Sequence, residues 1–259
     1  MEIIPIKTPI IKPSSNLAET ILDAMHGQGL ELQDGDIIAV ASKAVSTATN
    51  RIVNLKEIKP SKEALKLAGK YYLEPEFVEL VLTESEKIYG GVEKAILTMK
   101  NGILTVNAGI DHKNVPEGYA SLWPKNPQLE ADKLRRQIEG KTGRKIGILI
   151  VDSEVSPLRL GTRGFALAIS GFKPIKDYRG KRDIYGKRII ITLHSLADDL
   201  AAAAHAVMGE SAEQVPVVLI RKAPIILDEN AKSDEMKISW ENCVYLSTLN
   251  FKSLRLQCL

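Results

Sequence analysis

Apolar residues in this chain fall into short runs of two kinds, which alternate irregularly. Runs with apolar positions three and four apart predict amphipathic helices over residues 16–26, 63–72, 75–89, 130–139 and 195–208. Ser14 and Ser15 are the expected caps of the first, with Gly27 or Gly29 as its stop. In the last, Leu196, Leu200, Ala204 and Val207 share one face, and Gly209 ends it. β-Branched runs predict strands over residues 36–42 (DIIAVAS), 95–100, 103–106, 188–193 and 215–221 (VPVVLIR). Residues 145–151 (KIGILIV) are apolar almost throughout, which predicts a strand buried on both faces. Asn101-Gly102 favours positive φ at both positions, so residues 95–106 read as a tight hairpin. Residues 234–246 fit either a helix or a helix–strand passage. Strands and helices mingle without strict alternation, so the expected fold class is α/β in the mixed α+β sense, with mixed sheets and packed helices. No linker composition and no repeat divides the chain, so it reads as one structural unit.

Composition narrows the function classes. Apolar residues are 44% and charged residues 26% of the 259, as in globular proteins at large, so collagen, coiled coil and wholesale disorder are excluded. No apolar run approaches the roughly 20 residues of a membrane helix, and the opening residues lack a secretory layout, so a cytoplasmic protein is expected. A formal charge of +3 with 5% aromatics argues against a nucleic-acid platform. Cys243 and Cys258 have no CxxC spacing.

The informative acids are those beside strands. Asp152 follows the run 145–151, and Asp111 follows residues 103–106 and Asn107-Ala108-Gly109. Carboxylates at strand ends are where α/β proteins hold ligands. Two of them can share Mg²⁺ or Mn²⁺, with phosphate oxygens completing the shell. The alternative is that Asp152 caps a turn and Asp111 forms an Asx turn. The stretch Met208, Gly209, Glu210, Ser211, Ala212, Glu213, Gln214 suits a nucleotide or a second metal, or is an ordinary polar loop. Arg159, Arg163 and the bases between Lys173 and Arg188, interleaved with glycines, suit an anionic small molecule. A solvated basic face and a nucleic-acid patch are the alternatives, and Asp177 and Asp183 weaken the second. GxGxxG, GxxxxGK[ST] and GxSxG are all absent. Of the histidines only His112, beside Asp111, invites notice.

Several segments occur in one order: Asn107-Ala108-Gly109-Ile110-Asp111 with Asn114, Asp152-Ser153, Gly164-Phe165-Ala166, Lys176-Asp177 through Tyr185-Gly186, Ala197-Asp198-Asp199, Met208-Gly209-Glu210 and Val215-Pro216. In this the chain resembles the coenzyme F420-0:L-glutamate ligase family, the γ-glutamyl ligases of F420 biosynthesis, from about residue 3 to residue 222. The resemblance implies a family domain over residues 1–228 with residues 229–259 as a C-terminal extension, and an intertwined homodimer of the γ-glutamyl ligase-like fold. It implies that GTP and Mg²⁺ or Mn²⁺, with K⁺ as a further ion, support amide formation between L-glutamate and the carboxylate of phosphate-bearing F420-0, through an acyl phosphate. By motif, Asp111, Asp152, Ser153 and Glu210 match metal positions. Asp111 and Asp152 carry catalysis with Arg159, which with the basic stretch would bind the anionic substrate. Thr8, Pro9, Ile10, Ile11, Ser42, Lys43, Asn114 and the run Met208, Gly209, Glu210, Ser211, Ala212, Glu213, Gln214, Val215 match nucleotide contacts. Neither nucleic acid nor membrane is implied as a partner. Thr47 stands where the family pattern has a lysine, and Glu154-Val155-Ser156-Pro157-Leu158-Arg159 replaces a Gly-Arg-Pro-Trp-Arg run, keeping Pro157 and Arg159. These departures motivate a second reading, a non-catalytic or substrate-shifted paralogue that binds nucleotide and metal. A basic-surface RNA binder is a third.

Overall fold

The computed structural model describes residues 1–248, so Cys258 and the end of the expected extension lie outside the described residues. The chain forms two compact units, a larger one of residues 1–51 and 124–236 and a smaller one of residues 52–123 and 237 onward. In chain order the larger unit begins with β1 (Glu2–Ile6), α1 (Leu17–Gly27), β2 (Ile37–Ala41) and α2 (Ser42–Ala48). The smaller unit follows with β3 (Ile52–Asn54), α3 (Lys62–Tyr71), α4 (Pro75–Glu84), β4 (Lys87–Val92), β5 (Ala95–Lys100), β6 (Ile103–Val106) and β7 (Tyr119–Ser121). The larger unit resumes with α5 (Pro127–Thr142), β8 (Gly147–Val155), β9 (Thr162–Ser170), β10 (Ile175–Asp177), β11 (Leu193–Ser195), α6 (Leu196–Met208) and β12 (Val217–Arg221). In the smaller unit, α7 (Val244–Thr248) ends the described part.

The larger unit is built on a five-stranded sheet in the order β1-β12-β2-β8-β9. Only β2 and β8 run parallel, and the other pairs are antiparallel. Gly147 through Val151 are all buried, as an unbroken apolar run requires. Helix α6 lays Leu196, Leu200, Ala201 and Ala204 on the face that carries Ile37, Ala39, Leu149 and Val151. The alternate residues Ile38, Val40, Ile148 and Ile150 are buried as well. Close approach of α6 depends on Gly164, where a Cβ would stand 2.4 Å from His205 Cβ and 2.5 Å from the Ala201 carbonyl.

The smaller unit packs α3 and α4 with a three-stranded sheet, β4-β5-β6, over a core that includes Phe77, Val81, Ile96, Ala108 and Leu122. The β5–β6 hairpin pairs Lys100 with Ile103, and Asn101 and Gly102 have φ of 52° and 70°, as the Asn-Gly turn predicts.

Four expectations need correction. The cap of α1 is Asn16, whose side chain accepts the Glu19 N–H, while Ser14 sits at positive φ and bonds to Asn50. Helix α4 ends at Glu84, and residues 87–89 belong to β4, because Glu86 turns back to take the Asn101 N–H. Residues 188–193 are not a strand: Arg188 makes an isolated bridge to Arg182, and only Leu193 enters β11. Their β-branched side chains Ile190 and Ile191 are exposed and join no core cluster among the described residues. Residues 233–242 form short 3-10 turns rather than one helix. Strand β9, by contrast, carries no alternation because it is buried throughout its second half.

Replacing Gly164 by Ala overpacks the α6–β9 contact and is expected to cost about 1–3 kcal/mol. A denaturant midpoint equal to that of the parent would show that α6 shifts without cost.

Candidate functional site

The sheet order places distant residues at one end of the larger unit. Ile6 pairs with Val217, Val217 with Val40, and Ala41 with Val151. The Ala41 N–H also bonds to the Pro216 carbonyl at 2.8 Å. The segments just past these rungs are therefore neighbours: Thr8 after β1, Ser42-Lys43 after β2, Asp152-Ser153 on β8, and Gln214-Val215 before β12. Ligands bind at such strand ends in α/β sheets. Thr8 and Ser42 are buried, Pro9 and Ile10 exposed, and Ile11 and Lys43 half-buried. Thr47 spends its hydroxyl on the Lys43 carbonyl at 2.9 Å, one turn back in α2.

Asp152 does not follow the end of its strand. β8 continues to Val155, with Asp152 opposite Phe165, Ser153 opposite Gly164 and Glu154 opposite Arg163. The expectation failed because residues 152–155 are polar at three of four positions, yet β9 extends to pair with them. Asp152 is half-buried, and its Oδ1 accepts the Ser153 N–H at 2.9 Å. Glu154 is held by Arg163 at 2.8 Å. Burial pushes the Glu154 carboxyl above its ordinary range, and the negative charges of Asp198 and Asp152 push the same way, against the pull of Arg163. Asp198, in the first turn of α6, accepts the Ala166 N–H at 3.0 Å and the Ser195 hydroxyl at 2.6 Å. The sequence analysis passed over Glu154 and Asp198 as site residues. An acid in a helix's first turn was the available signal for Asp198.

Asp152, Glu154 and Asp198 offer carboxylate oxygens, the ligand type that hard cations take. Among the described residues no group of three or more His, Cys, Asp or Glu side chains forms a metal cage. A Mg²⁺ or Mn²⁺ here fits as one or two carboxylates plus phosphate oxygens and water, the usual arrangement for Mg²⁺ beside a nucleotide.

Glu210, just past α6, meets the β8–β9 hairpin at Thr162, at the start of β9. Its Oε1 accepts the Thr162 hydroxyl at 2.7 Å and lies 3.0 Å from His205 Nε2. Thr162 pairs with Val155, three rungs beyond Asp152, or about 10 Å of strand. The loop around Glu210 is tight: Gly209 has φ of 75°, and a Cβ on it would meet the Glu213 carboxyl carbon at 2.2 Å. Glu213 in turn accepts the Ser211 N–H. Met208 and Val215 point into the core, so of this run Gly209, Glu210, Ser211, Ala212, Glu213 and Gln214 line the surface. Arg159 lies in the exposed turn between β8 and β9.

Asp111 and Asn114 belong to the smaller unit. Asp111 bonds to Ser121 through both backbone groups, and its Oδ1 takes the Lys113 N–H at 3.0 Å, an Asx turn. It is reached through Asn107, Ala108 and Gly109, at φ of 51°, 53° and 70°. A left-handed residue other than glycine costs about 1–2 kcal/mol, so this run is held by its surroundings. His112 stacks on Phe77, with ring centroids 4.4 Å apart.

In the basic stretch, Arg179 forks onto Asp177 and holds its carboxyl down to about 2. Arg182 bonds to the Gly186 carbonyl. Both therefore shape the segment itself.

The chain matches the sequence model of the F420-0:gamma-glutamyl ligase family over residues 5–222 and belongs to that family. It is 40% identical to the coenzyme F420:L-glutamate ligase of Methanothermobacter thermautotrophicus, over 83% of this chain and 86% of that one. The enzymes of the same name from Archaeoglobus fulgidus and Methanocaldococcus jannaschii are 38% and 36% identical, over 85% and 87% of this chain and 87% and 89% of theirs. Among the described residues no helix is long and apolar enough to cross a membrane.

The raised pKa of Glu154 fixes the sign of a pH effect. Its ionised form is disfavoured in the fold, so the parent loses stability as pH rises from the ordinary carboxylate pKa, and the loss is complete above the raised pKa. Glu154→Gln removes the titration. The variant is expected to gain stability relative to the parent as pH rises through that range. Unfolding midpoints that differ by the same amount across that range would sink the assignment.

Proposed function

We propose that this protein is a GTP- and divalent-cation-dependent amide ligase that adds L-glutamate to the terminal carboxylate of F420-0. One observation supports it above the rest: in a chain of this family, the segments at Thr8, Ser42-Lys43, Asp152-Ser153 and Gln214-Val215 converge on one end of a single sheet. An F420-0 carboxylate oxygen attacks the γ-phosphorus, and GDP leaves. The glutamate amine then attacks the acyl carbon, loses its proton and displaces phosphate. Bound Mg²⁺ or Mn²⁺ would neutralise charge on the phosphate oxygens, with Asp152 as a proposed ligand and Ser153 and Glu210 as candidates for a second ion; Asp111, in the smaller unit, is a further candidate. Lys43, after β2, is the cation proposed to meet the phosphates. Arg159 and the exposed bases of the Lys173–Arg188 stretch would meet the anionic acceptor.

A second reading is a nucleotide-binding paralogue without turnover. The Thr47 hydroxyl, turned onto its own helix where the family pattern has a lysine, favours it. GDP and phosphate release that depends on both F420-0 and L-glutamate decides between the two. With turnover present, Asp152→Asn is expected to lower kcat/KM roughly 10²–10³-fold. Mn²⁺–GTP binding by calorimetry without release selects the second reading, and no binding overturns both.

We also propose a homodimer. Leu158, Leu160 and Ile184 are almost wholly exposed, and Ile190 and Ile191 are 76% and 84% exposed, an apolar set that a second copy would cover. Leu160→Asp with Ile191→Asp is expected to halve the mass measured by sedimentation. An unchanged mass, or a parent that is already monomeric, removes this surface from the interface.

A further inference from the structure

Three successive left-handed residues need outside support, and in the smaller unit each has it. Asn107 fastens the first position, with its Oδ1 accepting the Ile96 N–H at 2.8 Å. Gly109 is the third, and no side chain fits there: a Cβ would stand 2.1 Å from the Trp123 ring. Ala108, in the middle, is fully buried and donates its N–H to Thr98 Oγ1 at 2.9 Å. Thr98 is itself fully buried, and its hydroxyl hydrogen goes to the Thr105 carbonyl at 2.9 Å, across the β5–β6 pair. One hydroxyl thus has its donor and an acceptor position both in use, at the centre of the turn. Downstream, Asp111 is pinned to Ser121 at 3.1 and 2.8 Å. Only Gly109 and Ile110 separate the two anchored points, so a shift of Ala108 is passed to Asp111 with little chain to absorb it.

We propose that Thr98 is a positioning residue for Asp111: its hydroxyl holds the left-handed turn, and the turn sets where the Asp111 carboxylate stands. The proposal rests on Asp111 acting as a cation ligand, as in the function proposed above. Valine matches threonine in shape and lacks the hydroxyl, and serine keeps it. A partner behind a ligand typically changes metal affinity about 10–100-fold.

The test measures Mn²⁺ binding to the full chain by electron paramagnetic resonance, with Mn²⁺ alone as probe, and amide exchange at Ala108. Thr98→Val is expected to weaken Mn²⁺ about tenfold and to speed Ala108 exchange, with Thr98→Ser restoring both. In turnover, the Mn²⁺ requirement rises while the KM for L-glutamate holds. Faster exchange at Ala108 with parental Mn²⁺ affinity makes Thr98 merely structural and overturns the proposal. Asp111→Asn separates the two failures. If it leaves Mn²⁺ affinity unchanged, the role of Asp111 falls. If it weakens Mn²⁺ and Thr98→Val does not, only the role of Thr98 falls. Should the valine variant not fold, Thr98→Cys, whose thiol bonds weakly, takes its place with the same outcomes.

Discussion

The larger unit depends on the pairing of β8 with β9. Without it β8 would end where its apolar run ends, and Asp152, Ser153 and Glu154 would lie in a loop. With it they stand on ladder rungs at a set spacing. The same pairing puts Gly164 opposite Ser153, and the missing Cβ there lets α6 come down onto the sheet. Asp198, His205 and Glu210 ride on α6 or just past it, so one backbone pairing positions the acids from both elements. Burial of the apolar half of β8 on both faces stabilises the strand from which this pairing extends.

Electrostatics follows from that geometry. Burial is the main cause of the raised proton affinity of Glu154, and the charges of Asp198 and Asp152 add to it. Such a cluster repels an anionic nucleotide unless a cation stands between them. Arg163 answers Glu154, Arg179 answers Asp177, and Arg182 holds a carbonyl, so the count of bases in the sequence overstates the positive charge on offer. Placement, not net charge, decides what the surface attracts.

Features decided by neighbours in sequence were legible: the Asn-Gly hairpin, the buried strand at 145–151 and the stripe of α6. Those decided across the chain were not. β9 begins Thr162-Arg163-Gly164 and is then buried on both faces, so it shows neither alternation nor a turn signal. The run at 188–193 has strand-like residues, and among the described residues Ile190 and Ile191 stay exposed. The cap of α1 went to Asn16 because Ser14 is engaged with Asn50, far along the chain. The candidate site residues were scattered motif positions, and the sheet order explains how residues 8, 42, 152 and 215 come to one end of the sheet. Thr98 left no trace in the pattern, since a threonine in a strand is ordinary and its role lies in the hydroxyl geometry.

The strand register has a consequence for how the molecule is made. β1 pairs along its whole length with β12, Glu2 opposite Arg221, and both lie at one side of the sheet. During synthesis the first strand must therefore wait for almost the last residues of the family domain before it finds its partner. The smaller unit's helices and hairpins, spanning residues 52–123, are complete long before that. Until β12 arrives, the larger unit shows an open edge at β2, whose neighbour is β12. Long-range pairing of this kind closes slowly, and an open edge invites association with other chains. Vectorial synthesis would then complete the 52–123 part of the small unit before the nucleotide-proposed end of the sheet can form.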